Sequence, residues 1–282
     1  MPPRLPEWLR NQSPLQSETN RVREILGALK LHTVCLSARC PNRGQCYSEG
    51  TATFLILGDV CTRNCKFCSV GKGPMLPPEA DEPERVAKAA ALLGLEHVVI
   101  TSVTRDDLPD GGASHFAETI RQVRLMLPLA TVEVLTSDFQ GNESALKTVV
   151  SARPDIYNHN LETVPRLYPA IRPQAHYQRS LNLLKKVKQL SNEILTKSGI
   201  MVGLGETTTE VAAVMDDLTA IGCDILTIGQ YLQPTRDHMS VVEYILPEDF
   251  KEWEVLAYQK GFKHVASGPL VRSSFHAGAF IK

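Results

Sequence analysis

Short apolar runs alternate with longer amphipathic stretches along most of this chain, from Phe54 nearly to the C-terminus. The runs Phe54 to Leu57, His97 to Ser102, Thr131 to Leu135, Asp155 to Asn158, Gly199 to Leu204 and Asp224 to Ile228 are brief, mostly rich in β-branched residues, and largely apolar at successive positions. Strands buried on both faces read this way, because helices cover a parallel sheet from either side. The stretches between them have helical spacing: Pro83 to Leu93, Ser114 to Leu127, Asn142 to Val150 and Tyr177 to Leu190. Thr207 with Glu210 predicts a capping box, Gly222 a C′ residue, and Pro247 the start of a helix running to Gly261. Lys263 to Ala266 reads as a last short strand, and Glu18 to Lys30 as an amphipathic helix before the first one.

Six βα units with right-handed crossovers predict an α/β fold of the parallel-barrel type. A closed eight-fold barrel takes ~250 residues, and much of the chain before Phe54 is outside the pattern. The expectation is therefore a partial (β/α)6 parallel barrel over residues 54–262, with an N-terminal extension over 1–53 and a C-terminal extension over 263–282.

Composition removes several classes of function. With 282 residues, 43% hydrophobic and 22% charged, the chain suits a large packed core rather than disorder. A net charge of -1 gives no long-range pull toward nucleic acid or a membrane surface. The N-terminal sequence has no apolar run of signal-peptide type, and no stretch approaches the ~20 apolar residues of a membrane span. A reducing, cytoplasmic location is expected, where thiols stay free to bind metal.

The cysteines are unevenly placed: six of the seven lie between Cys35 and Cys68. Cys61, Cys65 and Cys68 form a C-x3-C-x2-C just after the first apolar run. In parallel barrels the chemistry sits at the carboxyl ends of the strands. Three thiolates on one loop suit three corners of a cubane iron-sulfur cluster, leaving the fourth iron open to substrate. The plainer alternative is a zinc knob lacking its fourth ligand. Cys35, Cys40 and Cys46 form a second triplet, C-x4-C-x5-C, also without a nearby fourth thiol, and near the C-terminus the chain reads Arg272-Ser273-Ser274-Phe275.

Both triplets together with the terminal Arg-Ser-Ser segment resemble the lipoyl synthase family of the radical S-adenosylmethionine superfamily. The likeness runs from about Leu31 to Ala277 and includes GTATFLILGD, VITSVTRDDLPDGGA, NHNLETVPRLY, TKSGIMVGLGET and GQYLQPT. It implies that Cys61, Cys65 and Cys68 hold a 4Fe-4S cluster whose open iron binds S-adenosyl-L-methionine. It also implies that Cys35, Cys40 and Cys46 hold a second 4Fe-4S cluster, its fourth iron bound by a serine. Adjacent residues of an extended segment point opposite ways, so only one of Ser273 and Ser274 is expected to reach that iron, and Ser274 is favoured. The implied reaction inserts two sulfur atoms, at carbons six and eight of an octanoyl group attached to a lysine of a lipoyl carrier domain. The auxiliary cluster is the sulfur donor, and a separate electron donor is needed. Three positions depart from many relatives: Leu36 and Ser37 in place of acidic residues, and Phe275 in place of tyrosine.

Polar residues at the later strand ends are candidates for binding S-adenosyl-L-methionine: Ser102 and Arg105, with Asp107, after the second run; Asn158, Asn160 and Glu162 after the fourth; and Arg172 beyond it. Glu206 and Gln230 follow the fifth and sixth runs. Loop capping or ion pairing is the competing role for each. The basic run Lys185-Lys186-Val187-Lys188 reads as a solvated helix face, with docking of an acidic carrier domain as the alternative. Cys223 reads as a buried small hydrophobe. Two other functions remain: a different radical enzyme with an auxiliary cluster, and an iron-sulfur electron carrier. A carrier needs no large substrate cavity, so the barrel-length pattern argues against it.

Overall fold

The computed structural model describes residues 5–10, 16–275 and 277–280. The chain divides into two compact units. The N-terminal unit comprises residues 16–63, 70–157 and 277–280; the C-terminal unit comprises 5–10, 64–69 and 158–275.

In the N-terminal unit, α1 (Gln16–Ala28) buries Val22 and Leu26 and packs on the later helices α3 and α4. Strand β1 (His32–Thr33) leads into α2 (Val34–Ser37), whose first turn is capped by Thr33 Oγ1 accepting from the Leu36 N–H at 3.4 Å. Helix α3 (Arg43–Ser48) follows. Strand β2 (Thr53–Ile56) is buried along its length and runs antiparallel to β1. Helix α4 (Glu82–Leu93) has Pro83 in its first turn and ends at Gly94, whose φ of 71° is the left-handed conformation a helix terminus favours. Strand β3 (His97–Ser102), α5 (Ala113–Met126), β4 (Thr131–Leu135), α6 (Glu143–Ser151) and β5 (Ile156–Asn158) complete the alternation. Strands β2, β3 and β4 are parallel neighbours, with Leu55 opposite Thr101 and Val99 opposite Glu133. Asn142 Oδ1 caps α6 by accepting from the Ala145 N–H at 3.1 Å.

In the C-terminal unit, α7 (Tyr168–Ile171), α8 (Tyr177–Leu190), β6 (Leu195–Val202), α9 (Thr208–Ala220), β7 (Ile225–Gln230), α10 (Pro247–Lys260) and β8 (His264–Gly268) continue the rhythm, with β6, β7 and β8 parallel. The Thr207/Glu210 capping box is formed, and Gly222 takes a φ of 77° just beyond α9. Within the units, β1 and β2 pair antiparallel while β2, β3 and β4, and likewise β6, β7 and β8, pair parallel in chain order, so the fold is α/β with a parallel sheet.

Two features depart from the periodicity. Strand β6 begins at Leu195 rather than Gly199, because Thr196, Lys197 and Ser198 are polar yet fully buried. Asp224 accounts for part of this: it accepts from the Thr196 N–H at 2.8 Å, from Lys188 Nζ at 2.9 Å, and pairs with Lys263 Nζ at 2.7 Å. Lys188 of the basic run is therefore held in an ion pair. The cysteine-rich segment also contains the short helices α2 and α3, too brief to leave an amphipathic signature.

Candidate active site

The second cysteine triplet is assembled within the N-terminal unit. Cys35 lies on α2, Cys40 follows it, and Cys46 lies on α3. The Cys40 N–H donates to the Cys35 carbonyl at 3.1 Å and the Cys46 N–H to that of Asn42 at 2.9 Å, so two small helical turns set the thiol spacing. Tyr47 and Thr33 brace the segment from behind, their hydroxyls 2.8 Å apart and buried. Burial pushes the Cys35 thiol up, opposed by hydrogen bonding from Thr53 and reinforced by Cys40. Burial also pushes Cys46 up to about 12, with Cys35, Cys40 and Glu49 adding repulsion. Three thiols within electrostatic reach ionise together only if a cation compensates them. That donor set fits an iron-sulfur cluster. Among the described residues, no group of three or more His, Cys, Asp or Glu side chains is gathered so that it could hold a metal ion.

The first triplet sits on a loop pinned by buried charged groups. In the N-terminal unit β2 is followed at once by Leu57, whose φ of 67° is strained for a bulky residue. Glu82 holds the Leu57 N–H at 2.8 Å, His115 lies 2.7 Å from the same carboxylate oxygen, and Arg105 donates to the Leu57 carbonyl at 3.3 Å. A Cβ at Gly112 would lie 2.3 Å from Leu57 Cδ1, so that glycine makes room for the bend. The Cys61 N–H donates to Gly71 O at 3.0 Å, and both the N–H and the hydroxyl of Thr62 bond to Thr104 O. Arg63 donates to Asp106 at 2.7 and 2.9 Å and to Asp138 at 2.5 Å. Burial disfavours the Arg63 charge, but these two carboxylates hold it protonated.

Within the C-terminal unit the segment bearing Cys65 and Cys68 is held by the regions that follow β5 and β7. The Cys68 N–H donates to the Cys65 carbonyl at 3.2 Å, a tight turn. The Asn64 N–H donates to Gln174 Oε1 at 2.7 Å, the Lys66 N–H to Ile171 O at 2.8 Å, and the Met239 N–H to Lys66 O at 3.0 Å. His238 Nε2 lies 3.1 Å from the Cys68 carbonyl. Phe67 packs against the buried cluster of Ile171, Leu204 and Tyr231.

The strand-end candidates fall into two groups. Arg105 is committed to the protein: its Nε and NH2 reach Asp107 at 2.8 to 3.2 Å, besides the bond to Leu57. Gln230 donates to three carbonyls and accepts from the Ile245 N–H at 2.8 Å, while Glu206 caps the Gly203 and Leu204 N–H groups. Asn160, Glu162 and Arg172 are different. Asn160 Nδ2 donates to Glu162 Oε1 at 3.1 Å, yet Asn160 Oδ1 and Arg172 Nε are buried with no hydrogen-bond partner among the described residues. Buried polar atoms without a partner are costly unless a ligand completes them. Glu162 has a φ of 68°, and burial raises its carboxyl against the pull of Arg172 and Asn160. Burial disfavours the Arg172 charge, while Tyr168, Glu162 and Cys65 sustain it. A Cβ at Gly199 would lie 3.0 Å from Asn160 Oδ1, so glycine leaves that amide its place. Asn158 is fully buried at the end of β5, and Ser102 is half-buried at the end of β3.

Ser273 and Ser274 occupy a turn, closed by the Phe275 N–H donating to Arg272 O at 3.0 Å, and both are half-buried. The expected alternation of an extended segment therefore does not apply to them. Upstream, Gly229 of β7 admits the Val271 carbonyl, which would lie 2.1 Å from any Cβ there. Sequence reasoning missed Arg63, Glu82, His115 and Asp138, whose buried partners are distant in the chain; only Arg63, inside a cysteine motif, offered a signal.

The profile of the Radical SAM superfamily matches residues 55–218, and that of the N-terminal domain of lipoyl synthase matches residues 2–40. The lipoyl synthase of Caldanaerobacter subterraneus subsp. tengcongensis is 62% identical over 97% of this chain and 96% of its own length. The chain belongs to the lipoyl synthase family. The lipoyl synthase of Oleidesulfovibrio alaskensis is 55% identical over 99% of this chain and 95% of that protein. The fold is shared with methylornithine synthase (PylB), at a TM-score of 0.55 and 15% identity over 94% of this chain and 86% of that one. HydG, a maturase of the [FeFe]-hydrogenase, gives a TM-score of 0.56 at 11% identity, covering 92% of this chain and 73% of that one. As a family member, the chain is a radical SAM sulfurtransferase using S-adenosylmethionine and 4Fe-4S clusters. Leu36 is 60% exposed and so points its side chain largely to solvent, whereas Phe275 is half-buried beside the serines.

Proposed function

We propose that this lipoyl synthase holds its sulfur-donating auxiliary cluster on Cys35, Cys40, Cys46 and Ser274, and its S-adenosylmethionine-cleaving cluster on Cys61, Cys65 and Cys68. The near-full-length likeness to lipoyl synthases supports this reading, together with the two cysteine triplets in the sequence. When bound, the clusters supply the electron for cleaving S-adenosylmethionine and the sulfur inserted at carbons six and eight. The protein's own part is binding, orientation and exclusion of water.

Asn160, Glu162 and Arg172 are proposed to bind S-adenosylmethionine, the Asn160 Oδ1 and Arg172 Nε atoms completing their hydrogen bonds on it; Asn158 and Ser102 are proposed further contacts. Arg105, although a candidate from the sequence, acts in this reading on Leu57 and Asp107. The auxiliary site draws on residues 1–53 and 263–282, and the barrel on 54–262. The acyl substrate is carried by an octanoylated lipoyl carrier domain, with an electron donor as the second partner. A cytoplasmic location is proposed, a reducing compartment in which thiols are kept for metal binding rather than disulfides; among the described residues no helix is long and apolar enough to cross a membrane.

The division of labour is tested with Cys40→Ala. The expected outcome is retained cleavage of S-adenosylmethionine to 5′-deoxyadenosine, with no sulfur entering an octanoyl-lysine peptide. Loss of cleavage with the auxiliary cluster intact would reverse the assignment.

A further inference from the structure

Arg63 lies midway between Cys61 and Cys65, and its side chain is only 5% exposed. Its guanidinium meets carboxylates from two different loops: Asp106, four residues past β3, through a two-pronged fork at 2.7 and 2.9 Å, and Asp138, three residues past β4, at 2.5 Å. Asp138 is 1% exposed, so the pair is shielded from water. The main chain of Arg63 is engaged as well. Its N–H points to Cys61 Sγ at 3.4 Å, and its carbonyl accepts from Lys72 Nζ. Neighbouring Thr62 is tied to the same post-β3 loop, where the Asp106 N–H donates to Thr62 Oγ1 at 3.1 Å.

We infer that Arg63 is a positioning residue for the catalytic cluster: anchored by Asp106 and Asp138, it fixes the Cys61 loop and directs a backbone N–H at the Cys61 sulfur. A planar fork fits two carboxylates in a way that an ammonium point charge does not. A hydrogen bond to a ligating sulfur withdraws electron density from it, one of the ways in which proteins adjust a cluster. The inference rests on Cys61 being a ligand of that cluster, as proposed above.

The test uses the full-length chain carrying Cys40→Ala, so that the iron of a single cluster is followed after anaerobic reconstitution. Arg63→Lys and Cys61→Ala are compared by the rate of iron loss to a chelator and by the electron paramagnetic resonance signal of the reduced cluster with and without S-adenosylmethionine. Arg63→Lys is expected to lose iron about 10- to 100-fold faster, in the range of outer-sphere changes, and to give an altered signal with S-adenosylmethionine. Asp138→Asn keeps the Asp106 fork and shows the same changes in smaller measure, which covers the case of Arg63→Lys failing to fold. Iron loss and signals unchanged in both variants would overturn the inference. A cluster retained by Cys61→Ala would instead sink the ligand assignment; a cluster lost by Cys61→Ala but held normally by Arg63→Lys would remove only the positioning role.

Discussion

Ser273 and Ser274 are the two central residues of a turn, and the ligand set proposed for the auxiliary cluster takes the hydroxyl of one of them. The turn removes the alternation from which a single serine ligand was expected, and Ser274 stays the proposed one. An alkoxide or hydroxyl is a harder ligand than thiolate for iron in a sulfur-rich site, which suits a cluster that must give up its sulfur. Ser274→Ala is expected to abolish sulfur insertion while leaving cleavage of S-adenosylmethionine in place, and Ser273→Ala to insert sulfur normally. The opposite pattern, read by mass spectrometry of an octanoyl-lysine peptide, would move the ligand to Ser273. Ser274→Cys should bind the auxiliary cluster more firmly and insert less sulfur; full insertion by that variant would dismiss lability as the serine's purpose. Residue identities were legible here, but their surroundings were not. Arg105 looked like a cofactor contact because it follows a strand, whereas its donors go to Asp107 and Leu57.

Most elements could be read from periodicity, because β3, β4, α8 and the caps at Gly94, Thr207 and Gly261 obey local rules. Strand β6 could not, since Thr196, Lys197 and Ser198 are buried by tertiary packing and bonded in part to a remote aspartate. Burial tends to raise the Asp224 carboxyl, but hydrogen bonds from Lys188, Lys263 and the Thr196 N–H hold it below its usual value of 3.8. A carboxyl lowered in the folded state contributes stability that is present above its unfolded value and lost as pH falls through the folded one. Asp224→Asn should therefore cost about 1–3 kcal/mol at neutral pH, with the difference from wild type shrinking below pH ~4. Denaturant unfolding at a series of pH values reads this directly. A penalty that stayed constant into acid would mean that the Asp224 charge is not what secures the start of β6.

At the scale of the whole molecule, the near-neutral charge leaves the clusters and the acyl substrate as what defines the chain. The cysteine spacing reads as two triplets, each one ligand short of closing a cubane. The structure adds how the halves are made: Cys35, Cys40 and Cys46 come together on two short helical turns, and the Cys61 loop is held by buried ion pairs that no local pattern reveals. Among the described residues, Asn160 and Arg172 keep buried polar atoms without protein partners, which suits the ligand site proposed there. The most direct measurement is anaerobic reconstitution with iron and sulfide analysis, followed by incubation with S-adenosylmethionine, a reductant and an octanoyl-lysine peptide. The account predicts iron and sulfide for two 4Fe-4S clusters and a peptide carrying sulfur at carbons six and eight. Iron for only one cluster, or 5′-deoxyadenosine without any thiolated peptide, would contradict it.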